Sequence, residues 1–273
     1  MTTTELQMTA PAPAKPAGNL LRETVTHVWH WTDKLFTIRT TRDPSFRFES
    51  GQFAMIGVEV DGRPLLRAYS MASAAYDDFL EFFSIIVPQG PLTSRLQHIK
   101  VGDSLLIARK PTGTLLLANL KPGKRLYMLS TGTGLAPFAS LIQDPAAYEQ
   151  FERVILVHGC RNTAELEYGT RIVDSVRESE FLGELARDKL LHYTTVTREP
   201  YYHQGRINDL IADGKLFADL GQPPFNPVED RVMICGNPEM LQDLRTMLVR
   251  TGFREGSNSV PGDFVIERAF VER

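Results

Sequence analysis

The pattern of apolar residues changes near residues 118–123, and this change constrains the fold of the chain more than any other feature. Before it, six short runs rich in β-branched and aromatic residues alternate with turn signals such as Asp61-Gly62, which is typical of a two-residue β-hairpin. After it, strand-like runs alternate with segments of helical periodicity. The first pattern predicts a closed or nearly closed antiparallel barrel, and the second predicts a parallel sheet covered by helices on both faces. We therefore expect two domains, an N-terminal antiparallel β-barrel and a C-terminal α/β domain.

The predicted boundaries divide the chain into three parts. Residues 1–18 contain three prolines and a glycine among alanines and threonines, and we expect a disordered tail there because this composition has little apolar surface to bury. The barrel domain is predicted over residues 19–120 and the α/β domain over residues 121–273. The total of 273 residues agrees with two domains of ordinary size.

The totals of charged residues and cysteines exclude several classes of protein. Lysine and arginine number 30 against 33 aspartate and glutamate residues, and the net charge of -3 argues against a dedicated nucleic-acid-binding protein. The two cysteines, Cys160 and Cys235, are too few for a disulfide scaffold or for a protein-held iron–sulfur cluster with four thiolates. No apolar run is long enough to span a membrane and no secretory signal is present, and we expect a cytoplasmic monomer.

The tetrapeptide Arg67-Ala68-Tyr69-Ser70 lies at the end of a predicted barrel strand. Strand alternation directs Arg67 and Tyr69 to one face and Ala68 and Ser70 to the other. A flavin dinucleotide could use these groups, since a guanidinium suits its pyrophosphate, an aromatic ring suits the flavin or ribityl chain, and a hydroxyl suits the flavin N5. The alternative is an ordinary strand with a surface arginine and a half-buried tyrosine.

A turn rich in proline and glycine occupies residues 87–96. It brings Thr93 and Ser94 to the start of a short helix predicted over residues 92–99, where free N–H groups would attract an anion such as pyrophosphate. Taken alone, this stretch also fits a capped helix after a hairpin.

The segment Ser-Thr-Gly-Thr-Gly-Leu-Ala-Pro, residues 130–137, directly follows a predicted strand and begins a helix. Its glycines, Gly132 and Gly134, allow the backbone to approach a phosphate, and Pro137 suits a first helical turn. The segment departs from the Rossmann fingerprint because Pro137 stands where a third glycine would be.

A second loop from strand to helix contains Cys235, Gly236, Asn237 and Pro238. Cys235 would stand at the carboxyl end of a parallel strand, where open α/β sheets bind ligands, and its small thiol could touch a nicotinamide. The alternative is a buried structural cysteine.

Two arginines, Arg198 and Arg206, follow the strand predicted over residues 190–197. Planar cations at the adenosine end of a dinucleotide site would favour a 2′-phosphate, which predicts NADP rather than NAD. Each arginine by itself also fits a solvated surface charge.

The histidines show no spacing typical of a metal site. His27 and His30 project to opposite faces of a predicted strand and could not hold one metal ion. We interpret the others as fold or surface residues: His98, His158, His192 and His203.

The motifs Arg-Ala-Tyr-Ser, Val-Pro-x-Gly-Pro-Leu-Thr-Ser, Thr-Gly-Thr-Gly-Leu-Ala-Pro and Cys-Gly-Asn-Pro-Glu-Met, in this order, resemble those of the bacterial-type ferredoxin (flavodoxin)–NADP reductases of the plant-type superfamily. The resemblance runs from about residue 20 to the C-terminus and includes the final Phe-Val-Ile-Glu-Arg-Ala-Phe-Val. It implies a FAD-binding barrel and an NADP-binding α/β domain. It also implies electron exchange between NADP(H), as hydride, and ferredoxin or flavodoxin as protein partner, one electron at a time.

The resemblance further implies roles for individual residues. Ser70, Cys235 and Ala269 would be catalytic, with Ser70 near the flavin N5, Cys235 beside the hydride-transfer centre and Ala269 over the flavin. Plant-type members end in an aromatic residue there, whereas this chain continues beyond Ala269, and slower exchange is therefore expected. The residues that would hold FAD or NADP(H) are Arg67, Ala68, Tyr69, Ser70, Phe83, Ser84, Ile85, Pro91, Leu92, Thr93, Thr131, Gly132, Thr133, Arg161, Thr197, Arg198, Arg206, Gly236, Asn237, Pro238, Ala269 and Phe270.

Two alternatives stay open. The same two domains could form an NAD(P)H:flavin reductase or an oxygenase-associated reductase, although two cysteines exclude the fused iron–sulfur cluster that the latter normally carries. A flavin-binding sensor without turnover would need neither the glycine-rich loop nor the paired arginines.

Overall fold

The computed structural model describes residues 18–267. Nearly all of the predicted tail, residues 1–17, and the C-terminal residues 268–273, which include Ala269 and Phe270, lie outside the described residues. The first part of the described chain contains six strands and one short helix: β1 (Leu20–His30), β2 (Leu35–Thr41), β3 (Phe53–Val60), β4 (Arg63–Ser70), β5 (Phe79–Ile85), α1 (Thr93–Leu96) and β6 (Ser104–Ala108).

The six strands form one antiparallel sheet in the order β4-β3-β6-β1-β2-β5. Its two edges meet just after β4, where Met71 forms an antiparallel bridge with Phe82 of β5. Apolar side chains at alternate positions, among them Val25 and Ile38, fill the interior and are completely buried. The predicted antiparallel barrel is confirmed.

A five-stranded parallel sheet in the order β11-β10-β7-β8-β9 forms the second part, as predicted. Its strands are β7 (Arg125–Thr131), β8 (Arg153–Cys160), β9 (Leu190–Val196), β10 (Asp230–Cys235) and β11 (Phe264–Glu267). The helices between them are α2 (Ala136–Leu141), α3 (Pro145–Gln150), α4 (Glu167–Glu178), α5 (Gly183–Lys189), α6 (Ile207–Ala212), α7 (Lys215–Leu220) and α8 (Pro238–Arg250).

The helices cover both faces of this parallel sheet. Helices α2 to α5 pack over one face through residues such as Phe138 and Tyr148, and α6 to α8 pack over the other through Phe217 and Leu244. The sequence pattern predicts neither α3, α5 and α7 nor β11, because elements this short show too little periodicity. No helix within residues 18–267 combines the length and the apolar character needed to cross a membrane.

Strand β5 joins the two domains because side chains on its two faces pack into two different hydrophobic cores. Leu80 and Phe82 point into the barrel, whereas Phe83 belongs to the core that lies under α2 to α5. Alternation places Glu81 and Ile85 on the same face as Phe83. The outer face of β5 is therefore part of the domain interface.

The buried Tyr168 of α4 closes this interface. Its hydroxyl donates to Glu81 Oε1 at 2.9 Å, and Glu81 Oε2 accepts from Arg39 Nε and Nη2 at 3.1 and 2.9 Å. The ring centroid of Tyr168 lies 4.5 Å from that of Phe83 and 5.2 Å from that of Trp31. Burial raises the pKa of Tyr168 well above its ordinary value, and the hydroxyl therefore remains a donor.

Candidate active site

A cleft of about 720 Å³ opens at the carboxyl ends of β7, β8, β9 and β10. The parallel sheet forms one wall, and the barrel contributes Lys34, Leu35 and Ile85 to the other. Open α/β sheets bind their ligands at this edge. Ten residues predicted from the sequence line the cleft together: Ile85, Thr131, Gly132, Thr133, Arg161, Thr197, Arg198, Arg206, Gly236 and Asn237.

The loops after β7 and β10 meet at a contact that only glycine can make. Gly236 has a φ of +143°, and a Cβ at this position would lie 2.3 Å from Thr131 Oγ1. A Cβ on Gly134 of the facing loop would lie 2.4 Å from the carbonyl oxygen of Cys235. The two loops therefore pack closely against each other and form a tight cradle at the edge of the cleft.

Asn237 connects this cradle to α8. Its N–H donates to Thr131 Oγ1 at 2.9 Å, and its Oδ1 accepts from the N–H groups of Glu239 and Met240 at 2.8 and 3.3 Å. Pro238 takes the first helical position, where its missing N–H is not needed. Capping of α8 thus holds the backbone of Asn237 against Thr131.

Three exposed arginines, Arg161, Arg198 and Arg206, stand at the end of the cleft formed by β8 and β9. Their loops are joined by hydrogen bonds from Arg198 N to Arg161 O at 2.9 Å and from Thr197 N to Cys160 O at 3.1 Å. Within residues 18–267, the three guanidinium groups form no hydrogen bond or ion pair. A cluster of unpaired planar cations fits a phosphorylated ligand.

Cys235 is completely buried at the end of β10, directly before Gly236. Its side chain packs in the core that includes Leu35 and Phe83 of the barrel, and it does not line the cleft among the described residues. Burial, together with the Glu267 carboxylate, raises the pKa of Cys235 far above its usual range. The sulfur is therefore a neutral thiol that can act through contact but not as a thiolate nucleophile.

The predicted flavin residues of β4 and β5 contain an unsatisfied hydroxyl. Tyr69 Oη and Ser84 Oγ share a hydrogen bond of 2.9 Å. Ser70 is 2% exposed, and its Oγ has no hydrogen-bond partner among residues 18–267. A buried hydroxyl without a partner is costly, and it fits the polar edge of a bound flavin. Arg67 donates from Nη1 to Leu66 O at 2.8 Å and keeps other nitrogens for a phosphate.

The turn before α1 uses its predicted anion-binding hydroxyl internally. Thr93 Oγ1 donates to Val87 O at 3.0 Å and accepts from Val87 N at 3.3 Å. Leu92 is buried and Pro91 is exposed. The predicted helix over residues 92–99 is shorter in the structure, since α1 ends at Leu96. Any anion contact here therefore involves the backbone more than the Thr93 side chain.

Sequence reasoning missed several residues near the cleft. His158, interpreted as a fold or surface residue, is completely buried at the end of β8, with Nε2 3.2 Å from Gly132 O. A polar imidazole within an otherwise apolar strand was a signal that could have found it. Lys34 and Asn208 also line the cleft, although no motif includes them.

Comparisons with known proteins agree with this geometry. Residues 24–116 match the model of the oxidoreductase FAD-binding domain family, and residues 128–246 match that of the oxidoreductase NAD-binding domain family. The chain is 58% identical over 257 residues to a ferredoxin–NADP reductase of Azotobacter vinelandii, with 94% of this chain and 100% of the relative covered. It is 53% identical over 266 residues to a flavodoxin/ferredoxin–NADP reductase of Rhodobacter capsulatus, with 97% and 98% covered.

The fold is also similar to that of a solved reductase. The crystal structure of a ferredoxin NADP⁺ reductase from Neisseria gonorrhoeae with bound FAD and NADP has a TM-score of 0.83 and 31% sequence identity to this chain. The match covers 93% of this chain and 100% of that chain. The chain therefore belongs to the ferredoxin–NADP reductase family.

Proposed function

We propose that this protein is a FAD-dependent reductase that exchanges electrons between NADP(H) and ferredoxin or flavodoxin. The observation that carries the proposal is the end of β5, where Ser84 bonds to Tyr69 on the flavin side and the next residue, Ile85, lines the nucleotide cleft. Adjacent strand residues point to opposite faces. One strand end therefore connects the two sites, which supports the short separation that hydride transfer requires.

The chain's contribution to the reaction is placement. FAD, when bound, supplies an acceptor that takes a hydride from NADPH and releases electrons one at a time. The cradle of Gly236 and Thr131 would hold a nicotinamide at the carboxyl edge of the sheet, and Ser70 would offer its unpartnered hydroxyl to the flavin. Hydride transfer needs no general acid or base, which agrees with the neutral, buried thiol of Cys235.

Arg198 and Arg206 select NADP(H) through its 2′-phosphate. Replacing both with alanine removes two charge-assisted contacts, and we expect the KM for NADPH to rise about 100-fold while that for NADH changes less than about threefold. Steady-state kinetics with both nucleotides measure this difference. Arg153→Ala, at the exposed amino end of β8, is the matched control. Equal changes for NADPH and NADH would contradict the assignment.

An anaerobic titration of the purified holoenzyme with NADPH tests the proposed function. We expect stoichiometric loss of the visible flavin absorbance, followed by its recovery when ferredoxin or flavodoxin from the same organism is added. A flavin that NADPH does not bleach would instead indicate a sensor. A yellow colour that separates from the protein on gel filtration would indicate a free-flavin reductase.

The identity of the protein partner, ferredoxin or flavodoxin, belongs to this proposal. It is supported by one relative that is named for ferredoxin and another that is named for both flavodoxin and ferredoxin. The monomeric state and the cytoplasmic location expected from the sequence stay predictions.

A further inference from the structure

His158 is a buried polar residue that neither hydride transfer nor 2′-phosphate recognition uses. It is completely buried in β8, beneath the loop that follows β7. Burial lowers the pKa of His158 to about 4, and the ring is therefore neutral near neutral pH. The carbonyl oxygen of Gly132, 3.2 Å from Nε2, can only accept a hydrogen bond. Nε2 therefore carries the proton and donates it to Gly132.

The surroundings of the imidazole prevent it from turning away. A Cβ on Gly169 of α4 would lie 3.0 Å from His158 Nδ1, and the helix therefore packs directly on the ring. Nδ1 has no hydrogen-bond partner among residues 18–267. The thiol of Cys160 lies 3.2 Å from Nε2 and donates to Glu165 O at 3.8 Å. The ring is thus held by packing with its single proton directed at Gly132.

This hydrogen bond decides the direction of the following peptide. Gly132 has a φ of +53°, in the left-handed region, which glycine adopts without a steric cost because it has no Cβ. In a trans peptide the carbonyl and the next N–H point in opposite directions, and no cis peptide occurs within residues 18–267. Because Gly132 O points inward to His158, the N–H of Thr133 points outward, into the cleft that Thr133 lines.

We propose that His158 is a positioning residue for NADP(H), which holds the Gly132 carbonyl inward so that the Thr133 N–H can donate to the pyrophosphate of the nucleotide. The proposal rests on the proposed function, because it concerns the same nucleotide cleft. Glycine supplies the required φ, and the buried donor selects one peptide orientation among those that glycine allows. The contact belongs to the part of the ligand that NADPH and NADH share.

The test compares NADP⁺ with 2′-AMP, which carries the 2′-phosphate but no pyrophosphate, by calorimetry on the purified holoenzyme. His158→Met fills the space without a donor, and we expect the Kd for NADP⁺ to rise about tenfold while that for 2′-AMP changes less than about twofold. His158→Gln retains an amide donor at a similar reach, and we expect both constants to stay within about twofold of the wild type.

A second variant acts on the ring from the other side. Gly169→Ala would press a methyl group against both Leu135 Cδ2 and His158 Nδ1, at 2.9 and 3.0 Å, and we expect the same selective weakening of NADP⁺ binding as for His158→Met. Wild-type affinity for NADP⁺ in His158→Met would overturn the proposal, as would equal losses for NADP⁺ and 2′-AMP, which indicate general damage to the domain. Failure of the wild-type holoenzyme itself to bind NADP⁺ would instead overturn the proposed function.

Discussion

The two cysteines sit in surroundings that suppress their reactivity. Cys235 is completely buried in a core to which both domains contribute, and Cys160 is buried beside His158. Burial, with the Glu165 carboxylate, raises the pKa of Cys160 to about 12, and the pKa of Cys235 is also raised. Neither sulfur is a thiolate near neutral pH. A contribution of Cys235 to hydride transfer must therefore come from its size and position.

Cys235→Ala tests this contribution. The shorter side chain leaves a void beside Gly236, and we expect the rate of hydride transfer to fall about tenfold because the cradle is less well placed. FAD should stay bound, since the predicted flavin residues of β4, β5 and the turn before α1 belong to the barrel, whereas Cys235 lies on β10. Anaerobic stopped-flow mixing with NADPH measures the rate. Met233→Leu, a volume-conserving change in the same core, is the control. An unchanged rate for Cys235→Ala, or an equal loss for Met233→Leu, would contradict the assignment.

His158 also makes the stability of the protein depend on pH. Its pKa is lowered by desolvation from 6.5 to about 4 in the folded chain. In the unfolded chain the imidazole binds a proton below pH 6.5, whereas in the folded chain it does so only near pH 4. Because the unfolded state binds more protons between these values, the free energy of unfolding falls as the pH is lowered through this range. The part of the loss that comes from His158 amounts to about 2 kcal/mol between pH 7 and pH 4.5.

Denaturant unfolding at pH 7 and pH 4.5 measures this loss. We expect His158→Gln to lose about 2 kcal/mol less than the wild type between the two pH values, because glutamine does not titrate. The exposed His98 is the matched control, and His98→Gln should lose as much as the wild type. Equal losses for His158→Gln and the wild type would refute the buried, neutral state of His158.

The longer elements of the fold could be predicted because their sequences repeat a local pattern. Strand β3, at Phe53–Val60, is one of the six runs rich in β-branched and aromatic residues. Asp61 and Gly62 after it both have positive φ, 50° and 72°, as the predicted hairpin requires. Helix α4 begins only at Glu167, because the residues before it, Thr163–Leu166, form a 3₁₀ turn. β11 could not be predicted, since its four residues depend on parallel pairing with β10.

The residues of the candidate site likewise fall into those that a local sequence pattern predicts and those that depend on the tertiary arrangement. The residues at the ends of β7 and β10 could be predicted, because the carboxyl edge of a parallel sheet is where loops meet. The contact of His158 with Gly132 could not, since it depends on the register between β7 and β8. Lys34 reaches the cleft from a turn of the other domain, and only the domain arrangement reveals it.

Gly236 is the residue on which the junction of β10 and α8 depends. Alanine at this position would meet both an unfavourable φ of +143° and a contact of 2.3 Å with Thr131 Oγ1. We expect Gly236→Ala to weaken NADP⁺ binding more than about tenfold and to lower the free energy of unfolding by about 1–3 kcal/mol. Calorimetry and denaturant unfolding measure the two effects.

Gly214 provides the matched control for this substitution. It also has a positive φ, +75°, but a Cβ there would meet nothing within 4 Å. Gly214→Ala should therefore lose some stability through backbone strain and keep its affinity for NADP⁺. Equal affinity of the Gly236 and Gly214 variants would show that the cradle does not bind the nucleotide.

The shape of the cleft depends on the relative orientation of the two domains, since each domain forms one wall of it. Hydrogen bonds join them at separate places. Tyr168 Oη donates to Glu81, Gln143 Nε2 donates to Ala72 O at 3.0 Å, and Thr114 N donates to Glu267 Oε2 at 3.0 Å. Among these donors, Tyr168 combines two contacts. Its ring packs against Phe83 and Trp31, and its hydroxyl bonds to the buried carboxylate of Glu81.

Tyr168→Phe tests the interface with little change in shape. The variant retains the ring packing but leaves Glu81 with one partner fewer in a buried setting, and we expect the free energy of unfolding to fall by about 1–3 kcal/mol. Tyr193→Phe is the matched control, because its hydroxyl donates to Asp219, a more exposed carboxylate that Lys215 also binds. That variant should lose less than about 1 kcal/mol. If the two variants lose the same stability, the Tyr168–Glu81 bond adds nothing beyond an ordinary surface contact. If Tyr168→Phe alone loses stability and also slows hydride transfer, the bond fixes the orientation in which the walls of the cleft meet.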